Sequence, residues 1–160
     1  MTEPSYLPSD NPRAPRPEHP FRHCLPVQIR FTDIDLLGHV NNNVYLTLFD
    51  LAKIEYFGEV LGQRVTAPDL CMVIVNINCD FLSPSFIGDD LVVWTQVTAV
   101  SERSIRLEQR IVDRNTSITK CICHTVMAGY DPDTLSGAPI KPKLVEAFER
   151  FENRKLLKNV

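Results

Sequence analysis

The sequence predicts an α+β domain: an antiparallel sheet of about five strands packed on one long helix that comes early in the chain, with a short helix at the C-terminus. Three observations carry this. Several segments alternate apolar and polar residues with period two, the run from Asn43 to Leu61 has helical spacing instead, and the links between the later strands are too short for parallel crossovers. At 160 residues, with 44% apolar and 23% charged residues, the chain has the size and composition of one globular domain with a substantial core.

The elements follow in order. Residues 1–26 hold seven of the twelve prolines, which fix φ and remove ladder donors, so 1–25 is expected to be a flexible tail and 26–160 the single domain. Val27, Ile29 and Phe31 alternate with Gln28, Arg30 and Thr32, which predicts the first strand. Asn41, Asn42 and Asn43 are good N-cap residues in front of a run where Tyr45, Phe49, Ala52, Tyr56 and Val60 recur at intervals of three or four. A helix to about Leu61, stopped by Gly62, follows, and its wide apolar face predicts deep burial. Residues 71–81, 91–100, 105–113 and 117–130 read as four more strands. In 71–81, unbroken alternation would put Val73, Ile77 and Cys79 on one face and Ile74, Asn76 and Asn78 on the other. Ile74, Cys121, Cys123 and Met127 then suggest a second apolar sheet face, to be covered by self-association. After Pro142, Leu144, Val145, Phe148 and Phe151 predict a short amphipathic helix.

Composition also excludes function classes. Seventeen Lys and Arg against twenty Asp and Glu give a net charge of −3, which argues against nucleic acid as a partner. No apolar run approaches the ~18 residues of a membrane span and no signal-peptide pattern opens the chain, so a soluble, cytoplasmic protein is expected. Five cysteines, an odd number in strand-like surroundings, read as reduced core thiols. Cys121, Cys123 and His124 lack a CxxC pair, and alternation sends Cys123 and His124 to opposite faces, so no metal site is expected. There is no GxSxG, P-loop or HExxH.

The segment from Asp33 to Asn43 carries the chemistry. Asp33 and Asp35 share a loop with Gly38, His39 and three asparagines, directly before a helix N-terminus. Free N–H groups and the positive end of the helix dipole suit the polarisation of a carbonyl, and a nearby carboxylate can act as nucleophile or as general base toward water. Acyl transfer or hydrolysis fits this set, although Asp and Asn also serve simply to turn chains and cap helices, and a loop histidine is often structural.

These residues resemble a known family. Arg30 to Phe57, RFTDIDLLGHVNNNVYLTLFDLAKIEYF, is similar to the signature RxxDxDxxGHVNNxxYxxxFExAR of the 4-hydroxybenzoyl-CoA thioesterase-like branch of hotdog-fold acyl-CoA thioesterases, and Ile77 to Val93 resembles its next landmark. The resemblance implies a hotdog fold: the sheet wraps around the long helix and two protomers pair edge to edge, as a homodimer or a dimer of dimers. It implies Asp35 as the catalytic carboxylate, the Asn42 backbone N–H as the carbonyl-polarising donor and His39 as a weaker catalytic candidate. Gly38, Asn41, Asn43 and Tyr45, with Asn76 and Asn78 from the partner's strand, are the expected substrate-lining residues. The implied substrate is an acyl-CoA, hydrolysed to free acid and CoA without metal or other cofactor. An acyl carrier protein thioester and a non-catalytic acyl-binding module are the alternatives, and acyl-chain identity is left open.

Overall fold

The computed structural model describes residues 12–158. Its sheet contains β1 (His23–Pro26), β2 (Met72–Phe81), β3 (Leu91–Val100), β4 (Ser104–Asp113) and β5 (Thr119–Asp131) in the spatial order β1-β3-β4-β5-β2, and the two-residue β6 (Ser136–Gly137) pairs with β5. Every pairing is antiparallel, as the short links require. The helices are α1 (Asn42–Leu61), α2 (Ala67–Leu70) and α3 (Pro142–Glu152).

The ends of α1 are fixed locally. The Asn43 N–H donates to the Asn41 side chain at 2.9 Å, and Gly62, at φ +66°, closes the helix in the left-handed region that glycine enters without a Cβ clash. Between them Tyr45, Leu48, Phe49, Ala52, Tyr56, Phe57 and Val60 are buried. The first half packs on Leu91, Val93, Ile111, Cys121 and Cys123, and the second half on Val97, Ile105, Leu107 and Met127 with Leu144 and Phe148 of α3. At roughly 2 kcal/mol for each large side chain removed from water, this seam is the main source of stability. The opposite side of α1 stays open in the protomer, with Leu51 and Ile54 half exposed, so burial is one-sided where the wide apolar face predicted more.

Three further expectations need correction. The first strand lies at 23–26, not from Val27 onward. Val27 and Ile29 do pack against the α1 core, as their alternation implied, but the ladder ends with one Val27 N–H bond to the Leu91 carbonyl. Phe31 lies in a 3₁₀ turn, 82% exposed.

In β2 the pairing with β5 slips between Ile74 and Asn76, a bulge that reverses the facing of the strand's first residues. Ile74 therefore pairs with Met127, and Cys79 with Cys123, all toward the α1 side. These residues do not form a second apolar face.

Over β1, β3 and β4 the outer face is covered by the chain itself. Part of the stretch expected to be a tail crosses it: Ala14 and Phe21 are buried, and Phe21 packs with Val92, Val112, Cys24 and Trp94. Beside them Arg110 Nη1 donates to the Pro15 carbonyl at 2.6 Å, Arg110 Nε donates to Glu108 at 2.7 Å, and Gln96 Nε2 donates to the His19 carbonyl at 3.3 Å. Proline-rich backbone carries many carbonyls free of ladder bonds, and buried cations use them. Residues 1–11 of the expected tail lie outside the described residues.

Candidate active site

Residues 33–41 form a small hairpin that leads into α1. The Asn41 N–H donates to the Asp33 carbonyl at 2.8 Å, the Asp35 N–H to the His39 carbonyl at 3.0 Å and the Gly38 N–H to the Asp35 carbonyl at 3.0 Å, with Ile34 bridged to Val40. Gly38 takes φ +80°, which the turn requires and a side chain would strain.

The two carboxylates differ in their commitments. Asp33 is buried, and its oxygens take the Arg30 N–H at 2.7 Å and an Arg30 guanidinium N–H at 3.4 Å, so it folds the loop. Asp35 is partly exposed. Its Oδ1 accepts the Leu37 N–H at 2.9 Å, while Oδ2 has no donor among the described residues. One oxygen is held and the other is uncommitted.

The helix start supplies the complementary group. Asn43 is engaged by its cap and the Val44 N–H by the Asn41 carbonyl at 2.9 Å, while the N–H of Asn42, the first residue of the helix, has no acceptor among the described residues. An uncommitted carboxylate oxygen thus lies one short hairpin in sequence from an open backbone donor at the positive end of a twenty-residue helix.

The other expected site residues are placed as follows. His39 is partly buried, its ring edge-on to Phe86 at 5.2 Å. Gly38 and Asn41 shape the turn and cap the helix. The Asn43 backbone is tied to that cap while its side chain is exposed. Tyr45 is not free to line a pocket: its ring is buried edge-on to Phe81 at 5.5 Å and its hydroxyl donates to Ser85 Oγ at 2.7 Å. Asn76 and Asn78 alternate with Ile77 and Cys79, so within the protomer they face away from α1 and are not brought to the loop.

Sequence reasoning missed the support behind the loop. The segment 82–90 backs it: the Val40 N–H donates to the Ser85 carbonyl at 2.8 Å, and buried Lys120 donates to the Pro84 carbonyl at 2.9 Å and pairs with Asp89 at 3.1 Å. The only signal for this was the Pro84 and Gly88-Asp89 punctuation between two strands.

The two buried cysteines of β5 are poor nucleophiles. All five are free, and burial pushes the Cys121 thiol well up and the Cys123 thiol to about 12, so both stay protonated at neutral pH. No group of three or more His, Cys, Asp or Glu side chains among the described residues could hold a metal ion. No helix there is long and apolar enough to cross a membrane. A cavity of about 1210 Å³ opens farther along α1, lined by Lys53, Ile54, Phe57, Pro68, Met72 and Ile74, and does not include Asp35.

A sheet folded on one central helix, with the carboxylate loop at the start of that helix, is the hotdog architecture. A thioesterase from Thermus thermophilus, crystallised with coenzyme A and Zn, superposes with a TM-score of 0.76 at 26% identity over 85% of this chain and 98% of its own. The 1,4-dihydroxy-2-naphthoyl-CoA thioesterase Slr0204 from Synechocystis shares the fold, with a TM-score of 0.69 at 18% identity over 79% of this chain and 94% of its own. The pattern of the thioesterase-like superfamily matches residues 29–148, and the chain belongs to that superfamily. In sequence it is 29% identical over 86 residues to the long-chain acyl-CoA thioesterase FadM of Escherichia coli (strain K12), covering 53% of this chain. It is 27% identical over 81 residues to the uncharacterized protein YsmA of Bacillus subtilis (strain 168), covering 51% of this chain. These matches span 65% of FadM and 54% of YsmA.

Proposed function

We propose that the protein is an acyl-CoA thioesterase that releases a free carboxylic acid and CoA, working as a homodimer. The observation that carries this reading is the pairing of the half-committed Asp35 carboxylate with the open Asn42 N–H. The thioester carbonyl oxygen accepts the Asn42 N–H, where the helix dipole stabilises the charge that develops on it. Asp35 Oδ2 then either attacks the carbonyl carbon and expels CoA thiolate, leaving an anhydride for water to cleave, or takes a proton from a water that attacks directly. Gly38 and Asn41 hold the geometry, and His39 flanks it. The residues that act are all on the chain, and no cofactor enters the scheme.

The dimer is supported by the free edge of β2. It ends the sheet, and along it Val73, Val75, Ile77 and Phe81 are 40 to 58% exposed. At the tip of the catalytic loop Leu36 is fully exposed and Leu37 is 77% exposed. Apolar groups left open in this way call for a partner surface. Two-fold pairing of antiparallel β2 edges sets the start of one strand beside the end of the other. The cavity of one protomer then lies toward the catalytic loop of its partner and receives the acyl group.

The test is thiol release from short, long, branched and aromatic acyl-CoAs by wild type and Asp35→Asn. Turnover on a subset, falling at least ~10²-fold in the variant, is the expected result. Full activity in Asp35→Asn would remove Asp35 from its role, and absence of turnover on every ester would remove the function.

A further inference from the structure

Ser85 is fully buried in the middle of a loop, yet it bonds to both halves of the candidate site. Its carbonyl accepts the N–H of Val40, the residue bridged to Ile34 in the hairpin that carries Asp35, and its Oγ accepts the Tyr45 hydroxyl at 2.7 Å. Tyr45 is the fourth residue of α1, and long side chains in a helix lean toward its N-terminus. That bond therefore ties the first turn, with its open Asn42 N–H, to the segment that holds the carboxylate loop. The segment is itself anchored. Lys120, buried in β5, reaches the Pro84 carbonyl and Asp89, and Asp89 Oδ2 accepts the Phe86 N–H at 3.0 Å. Phe86 in turn packs against the His39 ring.

We propose that Ser85 and Tyr45 form a positioning pair that sets the carboxylate of Asp35 and the N–H of Asn42 in register, with Lys120 fixing the pair to the sheet. The inference rests on the thioesterase reading above, and neither residue touches the substrate. Without the bond the loop and the helix start are each still attached to the fold, but their mutual placement is no longer shared through one residue. A misplacement of about 1 Å between reacting groups costs up to ~10²-fold in rate.

Three variants test it: Tyr45→Phe, Ser85→Ala and the double variant. Each removes one or both oxygens and keeps the apolar volume nearly unchanged. Each single variant is expected to lower kcat for the best acyl-CoA roughly tenfold with KM within about twofold, and the double variant to lose no more than either single one, because both break the same bond. Hydrogen exchange gives a readout independent of turnover: amides of 34–44 exchange faster in every variant, while those of β3 and β4 do not change. Unchanged kcat, a loss confined to KM, or losses that multiply would overturn the pair. If wild type hydrolyses no CoA ester, the functional reading fails, and the exchange experiment still decides whether the pair holds the loop to the helix. Unaltered exchange at 34–44 overturns it in that case too.

Discussion

His23 stands at the start of β1 with its ring edge-on to Tyr56 at 5.6 Å and its Nε2 3.7 Å from Glu59. Burial lowers its pKa from 6.5 to about 4, so the folded protein holds it neutral at pH 7. The unfolded chain binds the proton more readily, so His23 contributes its full stability above pH 6.5 and loses it as the pH falls through that value toward 4. The loss amounts to roughly 3 kcal/mol once both states are protonated. Glu152, raised above the usual carboxylate range by burial, acts in the opposite sense at low pH and is present in wild type and in a His23 variant alike. Denaturant midpoints between pH 7 and 4 should fall more steeply for wild type than for His23→Gln; parallel profiles would show that His23 carries no such linkage. Other residues of consequence were readable beforehand to differing degrees. The turn at Gly38 and the cap at Asn41 were readable because turn and cap chemistry is local, whereas the catalytic role proposed for Asp35 came from the family resemblance. Ser85 and Lys120 were not, because their partners lie 40 and 36 residues away in sequence.

At the scale of elements, α1 was found almost to the residue, since its cap, its period and its terminating glycine all lie within it. β1 was misplaced because facing and pairing parted company: side chains keep alternating toward the core after Pro26, while the backbone leaves the ladder. The β2 bulge was invisible for a related reason, as one unpaired residue changes which side chains face inward without altering composition. The crossing segment before β1 was read from its prolines as a tail, although Phe21 already offered a large apolar group with nowhere else to go. Phe21→Ala should destabilise the fold by about 3 kcal/mol, the usual magnitude for a fully buried aromatic ring. Chemical denaturation measures this directly. A change below about 1 kcal/mol would mean that the segment only rests on the sheet.

The whole molecule presents a sheet face partly covered by its own chain and, at β2, an open edge. The strap before β1 and its buried Glu108–Arg110 pair cover the β1, β3 and β4 part of that face, and the proposed dimer uses the β2 edge. Val75→Lys places a charge at the bulge of that edge. It should shift sedimentation from dimer toward monomer and reduce thiol release in parallel, and a monomeric variant with full activity would show that one protomer suffices. The way in which the strap is held has a consequence for how its sequence can change. The groups that Arg110 and Gln96 bind are the carbonyls of Pro15 and His19, and every amino acid supplies a carbonyl. Substitution at Pro15 or His19 therefore leaves these two carbonyl anchors in place, whereas the guanidinium of Arg110 has no equivalent among the other side chains. At those two positions it is the path of the backbone, not the identity of the side chain, that the sheet holds.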